Sequence, residues 1–438
     1  MLFAEAVDNN KSLNVTYCPS KKSKVCRLNV NPDVIEVQNN GIIHRIALSG
    51  LNISCVTCKN LCSVSEDILC FSFDVSYNTL SCENKDKFHK LQSNIHSAEN
   101  ILCKFCQQKL GNIKDVTCST DFSKPTTLGE ESLSIEGGFF CHENRDNPVR
   151  LTEKSVNVQE LLGEQKPPSP LDSVFTGLEL ILDLSLIEPH SLHFKENNYL
   201  HCSSCLMALG KKVLYGSREC IAFWTNCFSL LVRENDIDGD FLGFIEKPLI
   251  ADETDFYGLL IANLVKNNHY RIIISAITWD GLLDFMLLWL PDQTIKLYTT
   301  SLQDGNSSAT EKCSEEDEKN GSKSVHFVKV EPIACRRVFY RLLLCDNCSP
   351  DTSSLLDSWR KDFGVTLIHI PWETCIGFSV CLSHFSSKIA PHVRKLDAPM
   401  TGFTAGAVPL IEIPGDSKQT PNGNAYCVIP ANDIVHTR

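Results

Sequence analysis

From Leu13 to Leu80 the apolar residues come in short runs, among them Ile42 to Leu48 and Ile68 to Val75, separated by clusters of Asn, Ser and Gly. Such runs, bounded by turn formers, predict strands. Asp255 to Val265 reads differently. Phe256, Leu259, Leu260 and Leu264 recur at helical spacing, and Asp252 or Thr254 stands where an N-cap belongs. Three further apolar runs follow, Tyr270 to Trp279, Phe285 to Leu290 and Thr294 to Thr300. Pro291-Asp292 joins the last two, and the three together predict an antiparallel meander. Val325 to Cys335 predicts a strand, Ser353 to Phe363 a helix and Val365 to Pro371 a buried strand. The run CIGFSVCLSHF, from Cys375 to Phe385, fits a helix or a strand, because a short apolar run does not resolve by periodicity.

The breaks between these runs divide the chain. Gly163 to Pro170 holds three prolines and reads as a linker. Gln303 to Ser324 is polar, acidic and without aromatics; it cannot repay its ordering entropy and predicts a disordered loop. At 438 residues the chain exceeds what one core usually serves. The fold class expected is α+β and β-rich: an N-terminal β region over 1–100, a β module over 101–233, a C-terminal α+β region over 234–412 that includes the 303–324 loop, and a tail over 413–438.

Charge then narrows the function. The 41 basic and 53 acidic residues leave a net charge of -12, and no basic cluster offsets it, so nucleic acid is not expected as a direct ligand. The first residues, MLFAEAVDNNKSLNV, lack the basic and apolar regions of a secretory signal, and no stretch of 18 consecutive apolar residues occurs, so no membrane partner is expected. The expected compartment is therefore the cytoplasm, where disulfides are rare. There the 22 cysteines must serve as metal ligands, buried thiols or reactive thiols.

Four CxxC pairs occur, at Cys55, Cys103, Cys202 and Cys345, where chance supplies about one in a chain this rich in cysteine. Two of them, CKFCQQKLG and CSSCLMALG, share Leu and Gly at the same offsets, a match that average composition gives in roughly one pair of two hundred. One structural unit used twice is the expectation. Two thiolates three residues apart reach one tetrahedral ion, and the trailing Gly is expected to turn the chain at positive φ. Cys103, Cys106, Cys202 and Cys205 would then hold one structural zinc as a clasp across a sheet. Two separate sites drawing on His201 or Cys118, or simply buried thiols, are the alternatives. Cys141-His142 follows Gly137-Gly138-Phe139-Phe140 and can be presented outward, or can be one more buried thiol. No hydrolase elbow, Walker loop, HExxH or GxGxxG after a strand is present. The acidic run Glu234 to Asp240 lacks the register of an EF-hand and reads as a solvated loop.

The order of these features resembles a HECT-like ubiquitin ligase family, described as E2-binding proteins with a HECT-like domain. The carriers are Cys103 and Cys106, Cys141-His142, Cys202, Cys205, Leu209 and Gly210, Leu287 to Leu290, Trp359, and Pro371 with Thr374-Cys375, over residues 100 to 412. The resemblance implies an E3 ubiquitin transferase of the acyltransferase class. It would take ubiquitin from an E2 conjugating enzyme docked on the Cys202 to Cys227 region, around Leu209, Gly210 and Trp224, and pass it to substrates bound for proteasomal degradation. Region 234–412 would be HECT-like, although no HECT signature stands in it. Cys375 would be the nucleophile, with His384 or His369 as base. The family also resembles a regulator that masks the metallo-endonuclease of mRNA 3' end processing. On that reading, Cys141 and His142 would complete the partner's open zinc coordination, and the nucleus would be a second compartment.

Overall fold

The computed structural model describes residues 1–7, 11–18, 27–31, 34–39, 42–65, 68–77, 94–114, 116–120, 172–195, 198–215, 218–235, 241–250, 252–300, 325–343, 350–396, 400 and 402–411, with the side chains of 27–28, 39, 120, 172, 215, 234–235, 241–242, 350–351 and some of 51–77 outside that description. The chain is β-rich α+β, as the run lengths predict. Its described strands form four sheets.

The largest has ten strands. It runs from Val365–Pro371 through Arg271–Thr278, Gly281–Trp289, Ile333–Leu342, Thr294–Thr300, Leu2–Val7, Ser12–Tyr17 and Ile68–Tyr77 to Leu51–Ser65, with Thr404–Pro409 paired to Ile333–Leu342. The expected meander is corrected here. Arg271–Thr278 and Gly281–Trp289 do form an antiparallel hairpin, but Ile333–Leu342 lies between Gly281–Trp289 and Thr294–Thr300. The turn at Pro291-Asp292 thus leads out of the hairpin and over one strand position. Local pattern reports a strand's existence but not its neighbour, which is chosen by contacts far away in sequence.

The strand Leu2–Val7 pairs with Thr294–Thr300 on one side and Ser12–Tyr17 on the other, so the first residues of the chain complete a sheet begun in its second half. On one face Leu2, Leu13, Val15 and Tyr17 pack with Ile35, Ile46 and Phe73, and Tyr298 and Val330 close this core from the C-terminal half. A parallel pair, Val325–Val330 with Ile42–Leu48, ties the same two parts of the chain together.

Helix α1, Glu253–Lys266, begins where the sequence placed it. The Asp252 side chain accepts from the Thr254 N–H at 2.9 Å, Glu253 and Asp255 sit at the positive end, and Lys266 at the negative end. Helix α2 is Pro350–Arg360, and the undecided run becomes helix α3, Trp372–Ser386. Its buried positions, Thr374, Cys375, Phe378, Cys381, Leu382 and Phe385, form one helical stripe. The stripe is hidden in the sequence because exposed Ile376 and Val380 are apolar too. Helices α1 and α3 pack against each other and against Thr404–Pro409. A four-residue helix α4, Pro391–Arg394, follows. Among the described residues no helix is long and apolar enough to cross a membrane.

Candidate metal centre

Each LG-trailed CxxC closes a β-hairpin. The first joins Ala98–Cys103 to Lys109–Asn112, and the second joins Tyr199–Cys202 to Ala208–Tyr215. Their backbones match bond for bond. The Gln107 N–H donates to the Cys103 carbonyl at 2.9 Å and the Cys103 N–H to that of Gln108 at 2.8 Å. In the second, Leu206 N–H donates to Cys202 at 2.9 Å and Cys202 N–H to Met207 at 2.8 Å. Two identical turns therefore present two thiols each.

The left-handed position is not at the trailing glycine, which corrects the expectation. It falls on the residue after the second cysteine, with φ of 64° at Gln107 and 63° at Leu206. The glycines answer to packing instead. A Cβ on Gly210 would lie 2.2 Å from the Ala222 carbonyl oxygen, and one on Gly111 2.7 Å from that of Leu186. Each glycine lets the neighbouring paired segment approach closely: Gly210 pairs with Phe223, next to Ala222, in the adjacent strand of its own sheet, and Gly111 is bridged to Ile187, next to Leu186. The Leu before each glycine, Leu110 and Leu209, is fully buried and anchors the turn.

The two hairpins belong to different sheets. The first lies in a four-stranded sheet with Phe228–Asn235 and Phe241–Pro248, the second in a seven-stranded sheet from Thr117–Thr120 to Leu192–Phe194. Their tips meet. Cys103 Sγ lies 3.6 Å from Cys205 Sγ, Cys106 Sγ lies 3.5 Å from Cys202 Sγ, and all four sulfurs fall within 4.8 Å of one another. A tetrahedral ion with bonds near 2.3 Å needs sulfur-to-sulfur edges of about 3.8 Å, so the four thiols could hold a metal ion. The clasp joins two sheets rather than crossing one. Among the described residues this is the one such cluster of three or more metal-ligating groups.

Without a cation this grouping is costly. Burial pushes the Cys103 thiol up from its ordinary value, and Cys205 to about 11. At Cys106 partial burial is outweighed by the Gln108 backbone N–H and the neighbouring thiols, which bring it down to about 7. A bound divalent ion would replace the protons and offset the burial cost. The site is fixed from outside as well: Lys104 pairs with Glu253 at the start of α1 at 2.5 Å, and the Lys104 N–H donates to the Cys227 carbonyl at 3.2 Å.

The alternative ligands lie elsewhere. His201 Nδ1 meets the Leu206 carbonyl at 2.9 Å and its ring packs edge-on against Trp279, while Cys118 is buried beside its own strand's Ser119 carbonyl. Cys141, His142, Cys345 and Cys348 lie outside the described residues, as do the side chains of Cys55, Cys58 and Cys62.

Cys375 sits in the first turn of α3 and is 0% exposed, with its sulfur 3.9 Å from the Ile370 carbonyl. Burial, and secondarily Glu373, raise its pKa far above that of a free thiol. In this conformation it has neither the access nor the thiolate character of a nucleophile. His369 is buried with Nδ1 2.5 Å from the Tyr199 hydroxyl, and His384 packs edge-on against Phe385 at the far end of α3. The residues expected at a docking surface are inside too. Leu209 and Trp224 are buried and Gly210 is pressed against Ala222, so among the described residues of the 202–227 segment the exposed large apolar side chains are Leu206 and Leu214.

The fold and the site define a β-rich α+β chain with a four-thiol centre clasping two sheets. No protein-family model, curated protein or solved structure matches it.

Proposed function

We propose that this chain is a zinc-clasped ubiquitin-protein ligase that docks a ubiquitin-charged conjugating enzyme on the tip of its second knuckle. The observation that carries the reading is Leu206, which follows the ligand Cys205 and stays 40% exposed although its backbone is held at positive φ. Phe105, in the facing knuckle, is 44% exposed. Leu206 is a branched apolar side chain kept in water at a left-handed backbone position, and with Phe105 across the centre it offers two apolar contacts beside one rigid point, which supports a docking role. Zinc is the metal proposed, since four thiolates at tetrahedral spacing favour a soft closed site with no open coordination position. The ion would hold the two tips in place and take no part in chemistry. In the HECT-like reading of the C-terminal half, Cys375 would belong to the core.

Leu206→Asp tests the docking, because Asp tolerates left-handed backbone and leaves the thiols untouched. Binding of charged conjugating enzyme and substrate ubiquitination should both fall at least about tenfold, with metal content unchanged. Unaltered binding by this variant and by Phe105→Asp would overturn the reading. Masking of a metallo-endonuclease by Cys141 and His142 rests on residues outside those described.

A further inference from the structure

Residues opposite one another across antiparallel strands project to the same face. In the ten-stranded sheet Phe3, Thr16 and Cys70 form one such row, and Glu5, Asn14 and Ser72 the next. This face is the reverse of the one that carries the N-terminal core. Among the described residues no long helix packs flat on it. The segment from Lys388 to Leu396 passes over it and leaves a cleft of about 660 Å³ floored by these two rows.

Into the cleft the short helix α4 brings His392, whose Nε2 lies 3.3 Å from Cys70 Sγ; Nδ1 is at 3.9 Å. The Thr16 hydroxyl is 3.6 Å from the same sulfur. The helix is tied to the segment before it and to the sheet by Arg394. Arg394 Nε donates to the Ile389 carbonyl at 2.7 Å and its Nη2 to that of Ser387 at 2.8 Å, while its guanidinium lies over the Phe3 ring. Glu5 and Arg337 form an ion pair at the floor, and Lys388 and Lys395 line the cleft, so its described lining is net positive. Cys18, whose carbonyl accepts from the N-terminal amine, and Arg394 are the titratable and charged neighbours on the adjoining side.

Outside the metal cluster, Cys18 and Cys70 are the described cysteines that are not buried. Cys70 is the one set against an imidazole. A third metal ligand does not join the pair, since the described residues hold no metal-competent group of three besides the knuckles. A thiol, a base within hydrogen-bond reach and a positive cleft open to solvent are instead the parts of a nucleophilic site.

We propose that Cys70 and His392 form a nucleophilic thiol–imidazole pair that accepts acyl groups from thioesters bound in this cleft. The Cys70 proton passes to His392 Nε2 as the sulfur attacks the thioester carbonyl. The carbon–sulfur bond to the donor breaks, the donor thiolate takes the proton back, and an acyl-Cys70 thioester remains. One thioester bond replaces another, so no oxidant or energy source is needed. Lys388 and Lys395 on the cleft lining add positive charge that favours the developing oxyanion at long range. Partial burial lowers the pKa of His392, which keeps it neutral and able to accept a proton at pH 7. The volume suits a small acyl group or the last few residues of an extended chain, not a folded domain. A protein C-terminus carried as a thioester belongs to that class, but the inference does not depend on the docking of a conjugating enzyme.

The test uses the full chain in two arms. In the first, limiting iodoacetamide is applied from pH 6 to 9 and the labelled peptides are mapped. Cys70 should be modified about tenfold faster than Cys18 at pH 7, and His392→Gln should abolish that advantage. In the second, the acetyl thioester of N-acetylcysteamine should leave one hydroxylamine-labile acetyl group on Cys70, absent in Cys70→Ser. Equal labelling of Cys18 and Cys70, a Cys18–Cys70 disulfide as the resting form, or no acyl adduct on the unmodified chain would overturn the proposal. The wild-type measurements decide even where a variant fails to fold.

Discussion

Cys106 Sγ lies 3.5 Å from Cys202 Sγ although 96 positions separate the two residues. Two separately folded hairpins converge here, and the consequence is a shared site. Purified protein should contain one zinc per chain. Cys103→Ser and Cys202→Ser should each lose all of it, because a tetrahedral site stripped of one thiolate from either hairpin fails as a whole. Metal analysis showing independent, partial losses would refute the shared site.

Removal of the ion should loosen the contact between the two sheets. Chelation should lower the unfolding temperature and expose the four thiols together to a thiol reagent, and readdition of zinc should restore both. A chelated protein with unchanged melting would separate the metal from the fold.

Gly210→Ala drives a Cβ to 2.2 Å from a backbone oxygen, an atom that no side-chain rotation can move aside. A loss of about 2 kcal/mol or more is expected from denaturant unfolding. Gly111→Ala, at 2.7 Å, should cost less than Gly210→Ala. The reverse order would contradict the packing role given to these glycines.

Cys375→Ala should destabilise the chain by about 1 kcal/mol by removing a buried sulfur from the α3 stripe. Below its melting temperature it should leave the proposed ubiquitin transfer unchanged. A selective loss of transfer with stability intact would restore Cys375 as a nucleophile and overturn the core assignment.

His269 joins the end of α1 to the strand Val365–Pro371, its Nδ1 2.8 Å from the Thr366 hydroxyl. Burial lowers its pKa below the usual 6.5. Above pH 6.5 it is neutral folded or unfolded and carries no pH dependence. Below, the unfolded chain takes up a proton that the folded chain resists, so stability falls as pH falls from about 6.5. His269→Gln should flatten that part of the stability curve relative to the wild type; an unchanged slope would exclude His269 as its source.

Residues near in sequence carried much of this. Most strand runs, the α1 cap at Asp252 and the twin knuckles are local patterns that appear in the structure, but Val325 to Cys335, read as one strand, is broken at Glu331-Pro332 into Val325–Val330 and Ile333–Leu342, which lie in different sheets. The Leu and Gly offsets marked one unit used twice, yet the reason for the glycine was misread. Positive φ is a property of a residue's own backbone, and it fell on Gln107 and Leu206, residue types that do not advertise it. Close approach depends on which segment pairs alongside, here the ones holding Ala222 and Leu186, and no spacing within the knuckle encodes that.

The sequence by itself determined the β-rich class, the cap of α1 and the four thiols that belong together, because hydrophobic period, capping and CxxC spacing act over a few residues. Only the tertiary structure decided which strands are neighbours, that the clasp joins two sheets, that Cys375 is sealed in a helix, and that Cys70 meets His392 from 322 positions away. Those outcomes depend on long-range pairing and on what each face packs against, and a chain read one residue after another contains neither.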